Sequence, residues 1–301
     1  MQNTLRKYYG FLTILCVFIG FLFPQLAELS WLVPYFLAVL VFSLVIEHRI
    51  SDFTRVVRRP RTILLLSLSN FLIFPLVGVI TGYLLALPPG EIFTGVILLT
   101  FAPSPVVAAL WSELSGGDGS ISITTALFTM ILGIMIYPLI LFVLGISSPN
   151  ISFKIFQLLT LSIFVPAAVA LFLRFEGEKY IPAKKIMTMI SSFISLFIVV
   201  MAVAHMASRV MSNEVDILLK IGLLVTILIL CGFLYGYLLG KFKKVISMDK
   251  PALIYTSGMR DGIIPLSVAL LYFSTYATLP ATLLLIIMPF LVVGVYYVIK
   301  T

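Results

Sequence analysis

Ten apolar runs of about 20 residues follow one another along the chain and restrict what it can fold into. A helix of that length spans the hydrocarbon core of a bilayer. Hydrophobic residues make up 61% of the sequence and charged residues 11%, and the mean hydropathy is +1.18. The sequence therefore predicts an all-α polytopic membrane protein. The ten predicted transmembrane segments cover residues 10–27, 31–47, 62–86, 92–112, 120–146, 152–173, 186–208, 217–240, 251–273 and 278–299.

Lysine and arginine residues are distributed unevenly between the two predicted sides of the membrane. Most of the 20 basic residues lie near the chain ends or after segments two, six and eight. The opposite side has only Lys154, Arg209 and Lys220. Because Lys and Arg are enriched in cytoplasmic loops, we predict a cell-membrane protein with both termini in the cytoplasm. This distribution accounts for the net charge of +8 without a nucleic-acid partner. The predicted cytoplasmic loops are 48–61, 174–185 and 241–250.

The start of the chain is similar to a signal peptide, since Arg6 and Lys7 precede the apolar stretch Gly10–Phe23. A small-residue cleavage site does not follow, so we interpret this stretch as the first membrane-spanning helix. The two cysteines, Cys16 and Cys231, lie in apolar segments and are typical of small buried residues. The sequence predicts no metal site and no cofactor.

Segment nine carries adjacent charges, Arg260 and Asp261, between Gly258 and Gly262. A charged residue at the centre of a spanning helix costs about 2.5–3.5 kcal/mol on insertion scales. Two charges beside helix-breaking residues indicate an interrupted helix that lines a polar cavity. The alternative is an ion pair that fixes helix packing, although neighbours in a regular helix point about 100° apart. Asp261 either holds Arg260 in place or takes up a proton.

Segment four has its own interruption at Pro103-Ser104-Pro105. Proline lacks the amide hydrogen that a continuous helix needs, and Ser104 before Pro105 suits the cap of a new half-helix. A Gly-Tyr-Leu-Leu sequence ends both segment three and segment eight. If these two segments correspond in an internal repeat, the segments that follow them, four and nine, correspond as well. Five segments per repeat imply inverted copies. We therefore predict two inverted five-helix repeats, 10–146 and 152–299, in which the discontinuous segments four and nine cross.

At these residues the chain resembles the bile acid:sodium symporter family, within the wider bile, arsenite and riboflavin transporter superfamily. The resemblance implies one transporter domain over residues 1–301. Its core would consist of 62–146 and 217–299, and a panel of 10–47 and 152–208 would rock against it. The stretches that carry the resemblance are Asp52 to Arg61, Asn70-Phe71 to Pro75-Leu76, Ala102-Pro103 through Trp111 to Gly117-Asp118, and Gly258 to Gly262.

The same resemblance implies that most sodium ligands of the family are replaced. The glutamate shared by both sodium sites falls at Thr256, and a glutamine of the second site falls at Arg260, beside Met259. Sodium requires several hard oxygen ligands, so the resemblance implies a transporter that does not use sodium. The arsenite carriers have a cysteine at Ser104, and without a thiolate a soft ligand for arsenic is missing. The other replaced positions are Asp261, Asn70, Ala108, Ala109, Ala126 and Met288-Pro289, whereas Ser122 keeps its ligand type.

Other polar residues lie within the predicted spans. His205 in segment seven is typical of a hydrogen bond between helices, with proton transfer as the alternative. For Asn70, a role in the site and a bond between helices are equally favoured. Thr124 and Thr125 lie beside Ser122 and are candidate site residues, although threonine hydroxyls also bond their own helix backbone.

We expect a secondary transporter for a small anionic organic solute that works by alternating access. The first alternative is a sodium-coupled organic anion symporter that uses other ligands. The second is a receptor-like membrane protein without transport. An intramembrane enzyme is not predicted, because the spans contain neither a zinc-protease nor a serine-hydrolase motif and Asp261 is their one central carboxylate.

Overall fold

The computed structural model describes residues 2–47, 60–176, 184–210, 215–242 and 249–300. Every regular element in those ranges is helical, which confirms the all-α prediction. A 3-10 helix, Pro24–Leu32, leads into α2, and π turns interrupt α3 at Ser69–Ile73 and α7 at Thr160–Phe164. The helices are α1 (Gln2–Leu22), α2 (Val33–Ile46), α3 (Pro60–Leu84), α4 (Glu91–Thr100), α5 (Val107–Leu114), α6 (Gly119–Val143), α7 (149–176), α8 (Lys184–Val210), α9 (Val215–Phe242), α10 (Asp249–Gly258), α11 (Ile263–Tyr272) and α12 (Thr275–Lys300).

Seven helices in the described part of the chain are long and apolar enough to cross a membrane. Leu12–Leu22 and Glu91–Thr100 are apolar but shorter. Segment four is divided into α4 and α5, and segment nine into α10 and α11, so none of their pieces reaches spanning length. A protein that crosses the membrane several times is confirmed, whereas the count of ten spans stays a prediction. The seven helices are Pro24–Ile46, Pro60–Leu84, Gly119–Val143, Pro149–Phe175, Met189–Ala207, Val215–Lys241 and Thr275–Ile299.

Large apolar side chains cover much of the outer surface. Leu84 is 80% exposed, Phe175 78% and Val298 76%. Soluble monomers rarely leave extensive apolar surface in water, whereas lipid tails accept such side chains without penalty. The exposed surface therefore matches a bilayer environment.

The half-helices of segments four and nine are arranged in a reciprocal way. The first half of segment four, α4, packs against the second half of segment nine, α11. The second half, α5, packs against the first half of segment nine, α10. This arrangement brings the two interruptions, residues 101–106 and 259–262, to the same place in the bundle.

The two halves of segment nine, α10 and α11, pack against different neighbouring helices. α10 packs against α3, α6 and α9, whereas α11 packs against α12, α2, α7 and the 3-10 helix. The prediction that residues 10–47 and 152–208 form a panel is not tested by these contacts. The predicted cytoplasmic loops 48–61, 174–185 and 241–250 lie largely outside the described residues.

Glycines on α9 allow α10 to approach closely. A Cβ atom added at Gly232 would lie 2.6 Å from the carbonyl oxygen of Ser257 and 2.8 Å from the Cα of Gly258. Backbone atoms have no rotamer with which to move aside, so this position requires glycine. Gly236, one turn further along α9, makes a similar approach to Leu253 and Ile254. Small residues at such contacts are typical of membrane helix packing. They fix α10, and with it the interruption that follows Gly258.

Candidate functional site

Hydrogen bonds join the two interruptions directly. The backbone amide of Asp261 donates to the carbonyl oxygen of Pro103 over 2.9 Å. The hydroxyl of Ser104 donates to the carbonyl oxygen of Thr256 over 2.6 Å. Each interruption thus supplies partners for backbone groups that the other leaves without a helical bond. The prediction that both segments are broken and that the breaks meet is confirmed.

The predicted cap of the second half-helix in segment four is wrong. α5 begins at Val107, its cap residue is Val106, and no side chain caps it. Pro103 and Pro105 keep residues 103–105 out of a helix for longer than the sequence indicates, because neither proline has an amide hydrogen to donate. Ser104, released from the capping position, contacts segment nine and also accepts a hydrogen bond from Asn70 Nδ2 at 3.0 Å.

Arg260 is the largest fully buried side chain among the described residues, with 0% exposure. Its Nη1 donates to Oδ1 of Asn70. Its Cζ lies 3.5 Å from the ring centroid of Phe74, a cation–π contact. Nε and Nη2 have no hydrogen-bond partner within the described part of the protein. The guanidinium is therefore fixed in position by α3 while two of its donor atoms stay free.

The π turn in α3 presents these two contacts. The amide of Phe74 donates to the carbonyl oxygen of Ser69, five residues back instead of four. Pro75 follows immediately and has no amide for the regular ladder. The widened turn contains Asn70 and ends at Phe74, so both side chains that hold Arg260 come from one irregular stretch. Asn70 also bonds Ser104, so it joins α3 to both interruptions, as the alternative of a bond between helices predicts, and its role in a site stays a prediction.

Asp261 does not pair with Arg260. Its Oδ1 accepts hydrogen bonds from the amides of Ile263 at 2.8 Å and Ile264 at 3.0 Å. The carboxylate therefore caps the amino terminus of α11, where it also meets the positive end of the helix dipole. The expectation that Asp261 holds Arg260 in place, and the alternative of an internal ion pair, are both wrong. Adjacent residues at a helix start point in different directions, which separates the two charges.

A row of hydroxyls on α6 faces the crossing. Ser122 Oγ accepts from Thr256 Oγ1 at 2.8 Å, and Thr129 Oγ1 accepts from the amide of Ser104 at 3.3 Å. Thr125 lies between them at helical spacing, so it belongs to the same face. The hydroxyls of Thr124 and Thr125 have no partner among the described residues, nor has that of Ser257. Of the predicted site residues on α6, Ser122 thus contacts Thr256, and Thr125 shares its face of the helix.

The remaining predicted site residues supply no side-chain oxygen or nitrogen. Ala108, Ala109 and Met259 are at most 2% exposed. Within the residues that the structure describes, no group of His, Cys, Asp and Glu side chains is arranged to hold a metal ion. The polar groups of the crossing are therefore mainly hydrogen-bond donors and hydroxyls.

His205 lies on α8, half-buried. That helix packs against α1, α2, the 3-10 helix and α12. The hydrogen bond between helices that is predicted for His205, and proton transfer as its alternative, stay predictions, as do the roles of the other candidate residues. Phe74 was missed in the sequence. The available signal was Pro75, which directly follows Phe74 in a segment that meets the crossing.

Apolar spans combined with two interrupted helices that meet around a buried charge define a helical membrane protein built in the manner of secondary transporters. The profile of the sodium bile acid symporter family matches residues 34–214, and the chain belongs to this family. This family is one of membrane transporters. Segments eight to ten, which include Arg260, lie beyond the matched range.

A relative in Bacillus subtilis (strain 168), named as an uncharacterized sodium-dependent transporter YocS, is 25% identical over 190 residues. The match covers 60% of this chain and 58% of the relative. It therefore spans less than two thirds of that protein's length.

Proposed function

We propose that this protein transports a small anionic organic solute by alternating access and does not couple transport to sodium. The observation that carries the proposal is the buried guanidinium of Arg260 at the meeting point of the two interruptions. A fixed positive charge at that point attracts an anion and disfavours a cation. The amino-terminal end of α5, which no side chain caps, adds to this preference, whereas the amino terminus of α11 is already bound by the Asp261 carboxylate.

Two features oppose sodium binding at this position: the positive charge of Arg260 and the small number of side-chain oxygens that could ligate the ion. A guanidinium has five donors and no acceptor, so it cannot ligate a cation. It repels a sodium ion 4 Å away by about 4 kcal/mol at an effective dielectric constant of 20. The resemblance puts the glutamate shared by the sodium sites at Thr256, whose hydroxyl already donates to Ser122. Ala108 and Ala109, which replace a serine and an asparagine, have no side-chain oxygen.

Alternating access is proposed from the reciprocal packing of the half-helices. Two inverted five-helix repeats, 10–146 and 152–299, would produce that packing, since inversion exchanges the roles of first and second halves. In this proposal the panel, 10–47 and 152–208, moves against the core, 62–146 and 217–299. Both termini lie in the cytoplasm of a cell-membrane protein, because the predicted loops with most basic residues are on that side.

A sodium-coupled organic anion symporter is the second candidate. The description of the Bacillus subtilis relative as sodium-dependent favours it. In that case sodium would use the free hydroxyls of Thr124 and Thr125 with backbone carbonyls. This site would have to lie far enough from Arg260 to escape its repulsion.

Counterflow in proteoliposomes tests the proposal. Labelled organic anions are exchanged with sodium present or replaced by choline, first at constant pH and then across a pH gradient. We expect exchange that is unchanged by sodium. Several-fold stimulation by sodium would refute the proposal in favour of the second candidate. Solute binding without any flux would favour a receptor-like protein.

The Asp261→Asn variant completes this experiment. Asparagine keeps an oxygen that caps α11 but cannot carry the carboxylate charge. If transport responds to a pH gradient in the wild type and the response is lost in Asp261→Asn, Asp261 is the proton-linked residue. A response that persists in the variant assigns proton coupling elsewhere, with His205 as the next candidate.

A further inference from the structure

The free donors of Arg260 lie on one edge of its guanidinium. Nε and Nη2 carry N–H bonds that point to the same side, in the spacing that accepts the two oxygens of a carboxylate. Both atoms are buried and have no partner among the residues that the structure describes. The third nitrogen, Nη1, is occupied by Asn70. One complete two-donor edge is therefore left over.

The charge of Arg260 also lacks a compensating carboxylate contact. Its neighbour Asp261 is engaged with the amides of Ile263 and Ile264. No ion pair to Arg260 is present within the described ranges. An arginine does not lose its proton inside a protein, and an unpaired buried charge is unfavourable by several kcal/mol. The site is thus electrostatically incomplete without a negative group.

The surroundings of Arg260 restrict how such a group binds. Phe74 covers a face of the guanidinium at 3.5 Å, and Asn70 fixes its rotation within its plane. The free edge therefore has a set direction. Ser257 and Thr125, on elements that meet at the crossing, have buried hydroxyls without a partner among the described residues and can donate further hydrogen bonds.

We propose that the Nε–Nη2 edge of Arg260 binds one carboxylate, or a planar monovalent oxyanion of the same shape, through two parallel hydrogen bonds. This inference deepens the proposed function and rests on it for the identification of the ligand as the transported solute. A monoanion neutralises Arg260, whereas a dianion such as sulfate leaves an excess negative charge beside Asp261. Two sources share this chemistry: the carboxylate of an organic solute, and free bicarbonate.

Anion binding to the purified protein in detergent tests the inference without any flux measurement. The thermal unfolding midpoint is titrated with acetate, benzoate, bicarbonate, chloride and sulfate at constant ionic strength. The proteins are the wild type, Arg260→Gln, Arg260→Lys and the control Arg61→Gln, which removes an exposed arginine. Lysine keeps the charge but offers no planar two-donor edge.

We expect carboxylates to stabilise the wild type and Arg61→Gln in preference to chloride and sulfate. In Arg260→Lys the carboxylate affinity should fall at least about tenfold, as expected for the loss of a charge-assisted hydrogen bond, and the preference over chloride should disappear. Arg260→Gln should show no carboxylate effect. If Arg260→Gln does not fold, the comparison with Arg260→Lys decides alone. A larger effect of benzoate than of bicarbonate identifies the organic solute as the source, and the reverse identifies the free anion.

Carboxylate stabilisation that is equal in the wild type and Arg260→Lys would overturn the inference. Chloride or sulfate binding as tightly as acetate in the wild type would overturn it as well. Failure of the proposed function has a different signature, because sodium-stimulated counterflow with intact carboxylate binding at Arg260 contradicts only sodium independence.

Discussion

Replacing Ser104 with alanine removes two hydrogen bonds that hold the crossing together. The Ser104 hydroxyl donates to the carbonyl oxygen of Thr256 at 2.6 Å and accepts from Asn70 at 3.0 Å. Both partners are buried, so water does not replace the hydroxyl. The Thr256 carbonyl lies in the last turn of α10, where helical amides are no longer available.

The expected loss of stability follows from the number of groups left without a partner. Hydrogen bonds between side chains in membrane proteins contribute about 0.6 kcal/mol on average and at most about 1.7. A buried group that loses its partner is penalised by about 1–3 kcal/mol in soluble proteins. For two bonds, we expect Ser104→Ala to lower the free energy of unfolding by about 1–3 kcal/mol.

Ser267→Ala is the matched control. Ser267 is equally buried, but its hydroxyl donates only to the carbonyl of Ile263 within α11, at 2.8 Å. That carbonyl is one helical turn away and keeps its backbone bond, so the control should change the unfolding free energy by less than about 0.5 kcal/mol. Reversible unfolding in mixed micelles, followed by the intrinsic fluorescence of the two tryptophans, Trp31 and Trp111, measures both variants. Equal stability of Ser104→Ala and Ser267→Ala would refute the role assigned to the two bonds.

Two further predictions concern packing and orientation. Gly232→Ala should strongly reduce the yield of folded, monodisperse protein, because its new methyl group would meet backbone atoms of α10 at 2.6–2.8 Å. The control is Gly222→Ala on the same helix, whose nearest neighbour lies at 3.8 Å and which should behave as wild type in size-exclusion chromatography. Equal behaviour of the two variants would contradict the close approach of α9 and α10. Single cysteines at Ser51 and at the exposed Ser148, in a background without Cys16 and Cys231, should react with an impermeant maleimide from opposite sides of the membrane, and labelling of both from one side would contradict the predicted topology.

The helical class and the two interruptions were predictable because they follow from strong local constraints. An apolar run long enough to span the bilayer ordinarily forms a transmembrane helix. Pro103 and Pro105 remove amides from segment four, and Gly258 and Gly262 flank the charges of segment nine. Two prolines one residue apart, and two glycines around adjacent charges, disfavour a continuous helix more strongly than a single proline such as Pro138, which α6 accommodates.

The partners within the site were less predictable, because they depend on which groups meet in space. Pro75 follows a π turn in α3, yet Pro138 lies within α6 without one, so proline alone does not identify the irregular turn. Asp261 lies two residues before the first residue of α11, where an aspartate is a capping signal, but its neighbour Arg260 suggests an ion pair instead. Ser104 was assigned to its own half-helix although its hydroxyl reaches a residue 152 positions away.

During membrane insertion, segment nine depends on helices synthesised before it. α10 and α11 have 10 residues each, about half the length that spans a bilayer, and each central charge adds about 2.5–3.5 kcal/mol to the insertion free energy. The glycine surface of α9 and the Asn70–Phe74 turn of α3 precede segment nine in the chain and provide its partners. Segment four is different, since the Pro103 carbonyl and the donating hydrogen of the Ser104 hydroxyl find their partners only in segment nine, although Asn70 and Thr129 already bond Ser104. The first interruption is therefore formed early and completed late, because a nascent chain that ends before residue 249 lacks the Asp261 amide and the Thr256 carbonyl that bond to Pro103 and Ser104.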